Sequence, residues 1–107
     1  MREYEVRFLQ EALDDLEEIV AYIAQNSITT ALRVHDEIIE KVSELSVFPR
    51  LGQTVPDAKM RKAGYRMLLI DPYIMFYRII GSDVFIYRVI HGATNYPLMY
   101  DKILNRS

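Results

Sequence analysis

The chain has 107 residues, half of them hydrophobic and 26% charged, with a formal net charge of −2; this suits one folded domain and excludes a disordered one. It has no cysteine, which excludes disulfides and thiolate metal sites and points to an intracellular address. The opening MREYEVRFLQ is too charged for a signal-peptide core, and no apolar run approaches the roughly 20 residues that span a bilayer. The expectation is a cytoplasmic protein with no membrane partner.

The small net charge hides an uneven distribution. Residues 1–48 hold four Lys/Arg against eleven Asp/Glu, a balance of −7, whereas residues 49–107 hold nine against four, a balance of +5. An acidic front half is joined to a basic back half. Such asymmetry suggests an anionic or acidic partner for the back half, or charges that solvate opposite faces.

Residues 2–8 alternate as a short strand, with Tyr4, Val6 and Phe8 on one side and Glu3, Glu5 and Arg7 on the other. The period then changes. Leu9, Leu13, Leu16, Ile19/Val20 and Ile23 recur every three or four residues, leaving Glu11, Asp14, Asp15, Glu17 and Glu18 on the opposite side. This predicts an amphipathic helix that ends near Asn26. Ser27 can cap a second helix, whose stripe is Ala31/Leu32, His35, Ile38/Ile39, Val42 and Leu45, closed by Pro49. The short connection predicts an antiparallel helical hairpin.

Residues 49–63 contain two prolines, a glycine and four basic residues, and read as an exposed loop. Three β-rich runs follow, at 64–70, 73–80 and 84–90, separated by Asp71-Pro72 and Gly81-Ser82-Asp83. Breaks this short permit only antiparallel hairpins. The order β-α-α-β-β-β predicts an α+β domain, with the hairpin on one face of a mainly antiparallel four-stranded sheet. Asn95-Tyr96-Pro97 reads as the cap and first position of a short C-terminal helix.

Candidate chemistry is sparse. His35, on an apolar stripe, reads as a hydrogen-bonded residue in or beside the core. Two histidines without paired acid spacing give no metal site, and no phosphate-cradling glycine loop or nucleophile turn is present. What stands out is arginine. Arg50, Lys59, Arg61 and Lys62 lie in the loop, and Arg66, Arg78 and Arg88 occur once in each of the last three strands. A two-residue turn at Asp71-Pro72 places Arg66 opposite Tyr77, whereas the turn at Gly81 leaves the facing of Arg88 open by one residue. Arginines beside tyrosines bind phosphate and stack on bases; equally, they can pair with the acidic helices. His91 at the end of the last strand can serve as a general acid or base, or fix the turn that Gly92 makes with a positive φ. With no second titratable group beside it, the structural role is the reading taken.

The strand-helix-helix opening, FPRLG at 48–52, YIMFYRI at 73–79 and YRVIHGATNYP at 87–97 together resemble RelE/ParE-family toxins. These are the toxin halves of type II toxin–antitoxin systems, long described as plasmid stabilisation proteins. The likeness spans essentially residues 1–107, as one toxin domain. It implies no cofactor, and a cognate antitoxin as partner in a toxin–antitoxin hetero-oligomer. It also implies one of two activities. ParE-like members poison DNA gyrase, and RelE-like members cut messenger RNA on the ribosome with a Lys/Arg cluster and a C-terminal tyrosine. On the ribonuclease reading, Arg66 matches one basic place and Tyr96 or Tyr100 the tyrosine. The other two basic places fall at Ile74 and near Ala93-Thr94, which carry no charge. The resemblance therefore favours a ParE-like growth inhibitor. The alternatives are a RelE-like endoribonuclease and a degenerate toxin that only binds its antitoxin. Arg50, Arg61, Lys62, Arg78, Arg88 and Asn95 are the candidate binding residues. As an exposed charge on a strand, Arg66 is expected to contribute little to stability.

Overall fold

The computed structural model describes residues 3–93. Strand β1 (Glu5–Phe8) leads into helix α1 (Gln10–Ala24) and helix α2 (Ile28–Glu44). A two-residue strand β2 (Gln53–Thr54) and a one-turn helix α3 (Ala58–Lys62) follow, then β3 (Arg66–Ile70), β4 (Tyr73–Ile80) and β5 (Asp83–His91). The sheet order is β1-β5-β4-β3-β2. Three consecutive hairpin-linked strands are antiparallel, while β1 lies parallel to β5, with Val6 beside Val84 and Phe8 beside Ile86. The α+β class and the helical hairpin match the sequence reading. The fifth strand is β2, a stub too short to leave a period in the sequence.

Sequence chemistry explains the ends of the hairpin. The Ser27 hydroxyl accepts from the Thr30 N–H at 3.1 Å, capping α2 as expected. No side chain caps α1; its preceding residue Leu9 instead donates its N–H to Ile86 O at 2.9 Å, fastening the helix start to β5. The hairpin buries Ala12, Leu16, Ile38 and Val42 against Leu68, Met75, Tyr77, Val84, Ile86 and Val89 of the sheet. Each fully buried aliphatic side chain contributes about 1.5–3 kcal/mol.

The buried stripe of α1 is displaced from its expected place. Leu13 is exposed, and Ala12 and Asp15 are buried instead. Asp15, placed by periodicity on the solvent side, faces the sheet. Its carboxylate accepts from Arg88 Nε at 2.6 Å, Arg88 Nη2 at 2.8 Å and the Val89 N–H at 2.9 Å. A charge is tolerated there because it is bidentately paired and hydrogen-bonded.

The segment 49–63 is more than an exposed loop. Val55 and Met60 are fully buried and join Tyr65, Met67, Ile74, Phe76 and Ile90 in a second apolar cluster on the other side of the sheet. Asp57 follows Pro56 and caps α3 by accepting from the Met60 N–H at 3.0 Å, and that turn drives Met60 inward. The β3–β4 turn keeps the expected register, Arg66 opposite Tyr77, and its Asp71–Pro72 peptide is cis. A bulge on β5 sets Arg88 opposite Phe76 and Ile86 opposite Tyr77, with Tyr87 the extra residue. It fixes the facing that the Gly81 turn had left open.

Candidate partner-binding site

Three of the candidate arginines meet where the chain crosses from α2 to the start of β3. Arg50, Arg61 and Arg66, with Thr54, Gly64, Tyr65 and Ile79, line a cleft of about 190 Å³. Several local devices build it. Tyr77, buried in the sheet, reaches the crossing loop with its hydroxyl, which donates to Pro49 O at 2.7 Å and accepts from the Gly52 N–H at 2.9 Å. Arg66 Nη2 donates to Gly52 O at 2.6 Å and to Arg50 O at 3.3 Å. Gly52 itself must be glycine, because a Cβ there would lie 2.5 Å from Met67 O and 2.8 Å from the Tyr77 hydroxyl. Arg61 Nη1 donates to Val55 O at 3.1 Å and to Pro56 O at 2.7 Å.

Arg66 is therefore half-buried and tied to two loop carbonyls, which corrects its reading as an exposed charge of little structural weight. Its Nε is buried without a hydrogen-bond partner among the described residues. Arg50 is exposed and makes no side-chain bond among them. Arg78 adjoins the cleft through Gly64. Its guanidinium lies 5.3 Å from the Tyr65 ring centroid and 6.0 Å from that of Tyr87, two rings packed edge to face at 5.0 Å. Such placement is a cation–π arrangement. Among the described residues no carboxylate pairs with Arg50, Arg61, Arg66 or Arg78.

Arg88 stands apart from this group. Bound to Asp15, its guanidinium is held above its usual range, chiefly by that hydrogen bond and against the opposing effect of burial. It joins sheet to helix instead of facing a ligand. Lys62 is exposed on α3. Ile74, at a place where the ribonuclease pattern has a base, is buried in the second apolar cluster. Asn95, Tyr96 and Tyr100, with the expected C-terminal helix, lie outside the described residues. Sequence reasoning passed over Thr54, Tyr65 and Tyr87; Tyr65 and Tyr87 each adjoin an arginine in sequence or across a hairpin, which was the available signal.

Both histidines bond to groups close by in the chain. His91 Nδ1 accepts from the Ala93 N–H at 3.0 Å, and its ring meets Tyr73 edge-on at 5.9 Å. Gly92 does not use a positive φ, which occurs only at Gly64 and Gly81 among the described residues. Its need is room: its N–H donates to Pro72 O at 2.8 Å, and a Cβ would approach that oxygen to 3.1 Å. His35 lies at the helix surface with Nδ1 3.2 Å from Asp36 Oδ1. Among the described residues no group of three His, Asp or Glu side chains is placed to hold a metal, and no helix is long and apolar enough to cross a membrane.

The toxin relatives match this architecture. The family model described as the ParE toxin of the type II toxin–antitoxin system parDE matches residues 6–96. The chain is 32% identical over 82 residues to Toxin ParE3 of Caulobacter vibrioides, covering 76% of this chain and 79% of that protein. Its fold is similar to that of a chromosomal ParDE system from P. aeruginosa, at a TM-score of 0.68 and 23% identity, covering 83% of this chain and 96% of the other. It is also similar to a chain of the RelBE2 toxin–antitoxin complex of Mycobacterium tuberculosis, at 0.64 and 26% identity, covering 88% and 97%. By the extent of the family match and the identity to ParE3, the chain belongs to the ParE toxin family of type II toxin–antitoxin systems.

Proposed function

We propose that this toxin inhibits growth by binding a protein target, DNA gyrase in the ParE manner, and that a cognate antitoxin holds it inactive in a hetero-oligomer in the cytoplasm. One observation carries the choice of a binding mechanism over RNA cleavage. Arg66, the arginine at a ribonuclease-like position, has its guanidinium engaged by the carbonyls of Arg50 and Gly52. Burial of Ile74 points the same way, because cleavage through a phosphorane-like transition state needs cations free to meet developing charge. The RelE-like reading draws its support from the arginines lining the cleft, with Tyr96 or Tyr100 as its tyrosine.

The partner reading is tested by expression. Induction of the chain alone should arrest growth, and co-expression with the neighbouring small reading frame should restore it. Full growth at high expression of the folded chain would indicate a degenerate toxin that keeps only antitoxin binding.

A further inference from the structure

Strand β2 covers only part of the outer edge of β3. Its two residues pair with Arg66 and Met67, and no described strand lies beside Leu68, Leu69 and Ile70 on that side. Along an antiparallel strand, alternate residues turn both backbone groups toward the same neighbour. Met67 O faces the β2 side, where Gly52 passes it, so the Leu69 N–H and C=O face that side too. The ladder would next pair Leu69 with Leu51, but the chain has already turned away. The Leu51 N–H donates to Phe48 O, and the Gly52 N–H donates to the Tyr77 hydroxyl. What is left is a notch of about 350 Å³ lined by Leu51, Gln53, Met67 and Leu69, with Lys41 of α2 as its wall. Leu51 also belongs to an apolar groove with Val47, Phe48 and Pro49, which meets the arginine cleft at Arg50. Phe48, Leu51 and Leu69 are all exposed large hydrophobics, Leu69 at 54%.

We propose that this edge pairs with the same edge of a second copy of the chain, with the two Leu69 residues opposite one another across a two-fold axis. A residue that offers one outward N–H and one outward C=O is complementary to itself in an antiparallel pair, each copy donating to the other's carbonyl. The two Leu69 side chains then stand on one face with Cβ atoms about 5 Å apart. The same register matches charge. With Leu69 on the axis, Asp71 of one copy lies across from Met67 of the other, at the wall where Lys41 stands. Asp71 is exposed and makes no ion pair among the described residues, and the in-chain partner of Lys41, Glu44, lies 4.0 Å away. Symmetry supplies the Lys41–Asp71 attraction twice. Two hydrogen bonds and three exposed apolar side chains per copy fall short of a standard interface of about 1,600 Å², so the dimer is a weak, concentration-dependent one. It belongs to the free toxin and does not depend on what the toxin poisons.

The test is sedimentation of the full chain from micromolar to near-millimolar concentration, with three variants. The parent should pass from monomer to dimer across that range. Leu69→Lys puts a charge on the edge and should weaken association about tenfold or more, with the melting temperature unchanged because the side chain is exposed. The chain has no cysteine, so Leu69→Cys places a single thiol at the axis, and mild oxidation should link most of it as a disulfide dimer. Gln25→Cys, exposed at the tip of the helical hairpin, should stay largely monomeric under the same oxidation. A parent that is monomeric at the highest concentration, a dimer that Leu69→Lys leaves as tight, or equal linking of the two cysteine variants would each overturn the proposal. So would a parent that never dimerises but loses the product of the neighbouring reading frame on Leu69→Lys substitution, which would assign the edge to that product.

Discussion

Arg66 and Tyr77, directly opposed on β3 and β4, grip the same loop: the guanidinium takes the carbonyls of Arg50 and Gly52, and the hydroxyl bridges Pro49 O and the Gly52 N–H. The pair holds Arg50 at the junction between the cleft and the apolar groove. Fold and candidate site therefore share one set of bonds.

Tyr77→Phe leaves a buried N–H and a carbonyl without their partner, at a cost of about 1–3 kcal/mol. Thermal denaturation should show a drop of several degrees, and the amide shifts of Pro49-adjacent residues and Gly52 should move most.

Arg66→Ala should cost about 1–2 kcal/mol of stability through the lost carbonyl bonds. Toxicity should fall only in part, since a binding surface is wider than one residue. Denaturant titration beside a growth assay checks both halves. A fully stable protein that has lost all toxicity would instead identify Arg66 as a functional group with no structural role.

Gly52→Ala meets backbone oxygen and an immobile tyrosine ring, neither of which can withdraw. Overpacking of this kind costs about 1–3 kcal/mol, read as a lower melting temperature.

Asp15→Ala strands Arg88, whose side chain is 20% exposed, and should destabilise the protein by about 3 kcal/mol or more. The double variant Asp15→Leu with Arg88→Met should recover much of that loss, because it removes both charges together. A double variant no more stable than the Asp15 single would contradict this account of the pair.

Much of the fold was legible because its signals are local. Ser27 before an apolar stripe announced α2, and the two-residue break at Asp71-Pro72 set Arg66 opposite Tyr77. What escaped depends on contacts remote in sequence. Asp15 sits among acids at the border of a stripe, and only β5 decides that it turns inward. The Tyr87 bulge adds one residue that no pattern of alternation marks. Val55 and Met60 are buried by the second face of the sheet, although the prolines and charges around them read as loop. For the site, the arginines were legible as a set, but their sorting was not. Arg88 went to a helix and Arg66 to a loop, because neighbours brought by the tertiary fold offered them acceptors.

The central claim, a protein-binding poison, meets its most direct test in RNA sequencing with mapped 5′ ends shortly after induction of the chain alone. The account predicts induction of DNA-damage-response transcripts with no new cut sites in translated reading frames. Abundant cuts within translated frames, absent on induction of a folded Arg66→Ala chain, with no DNA-damage response, would contradict it.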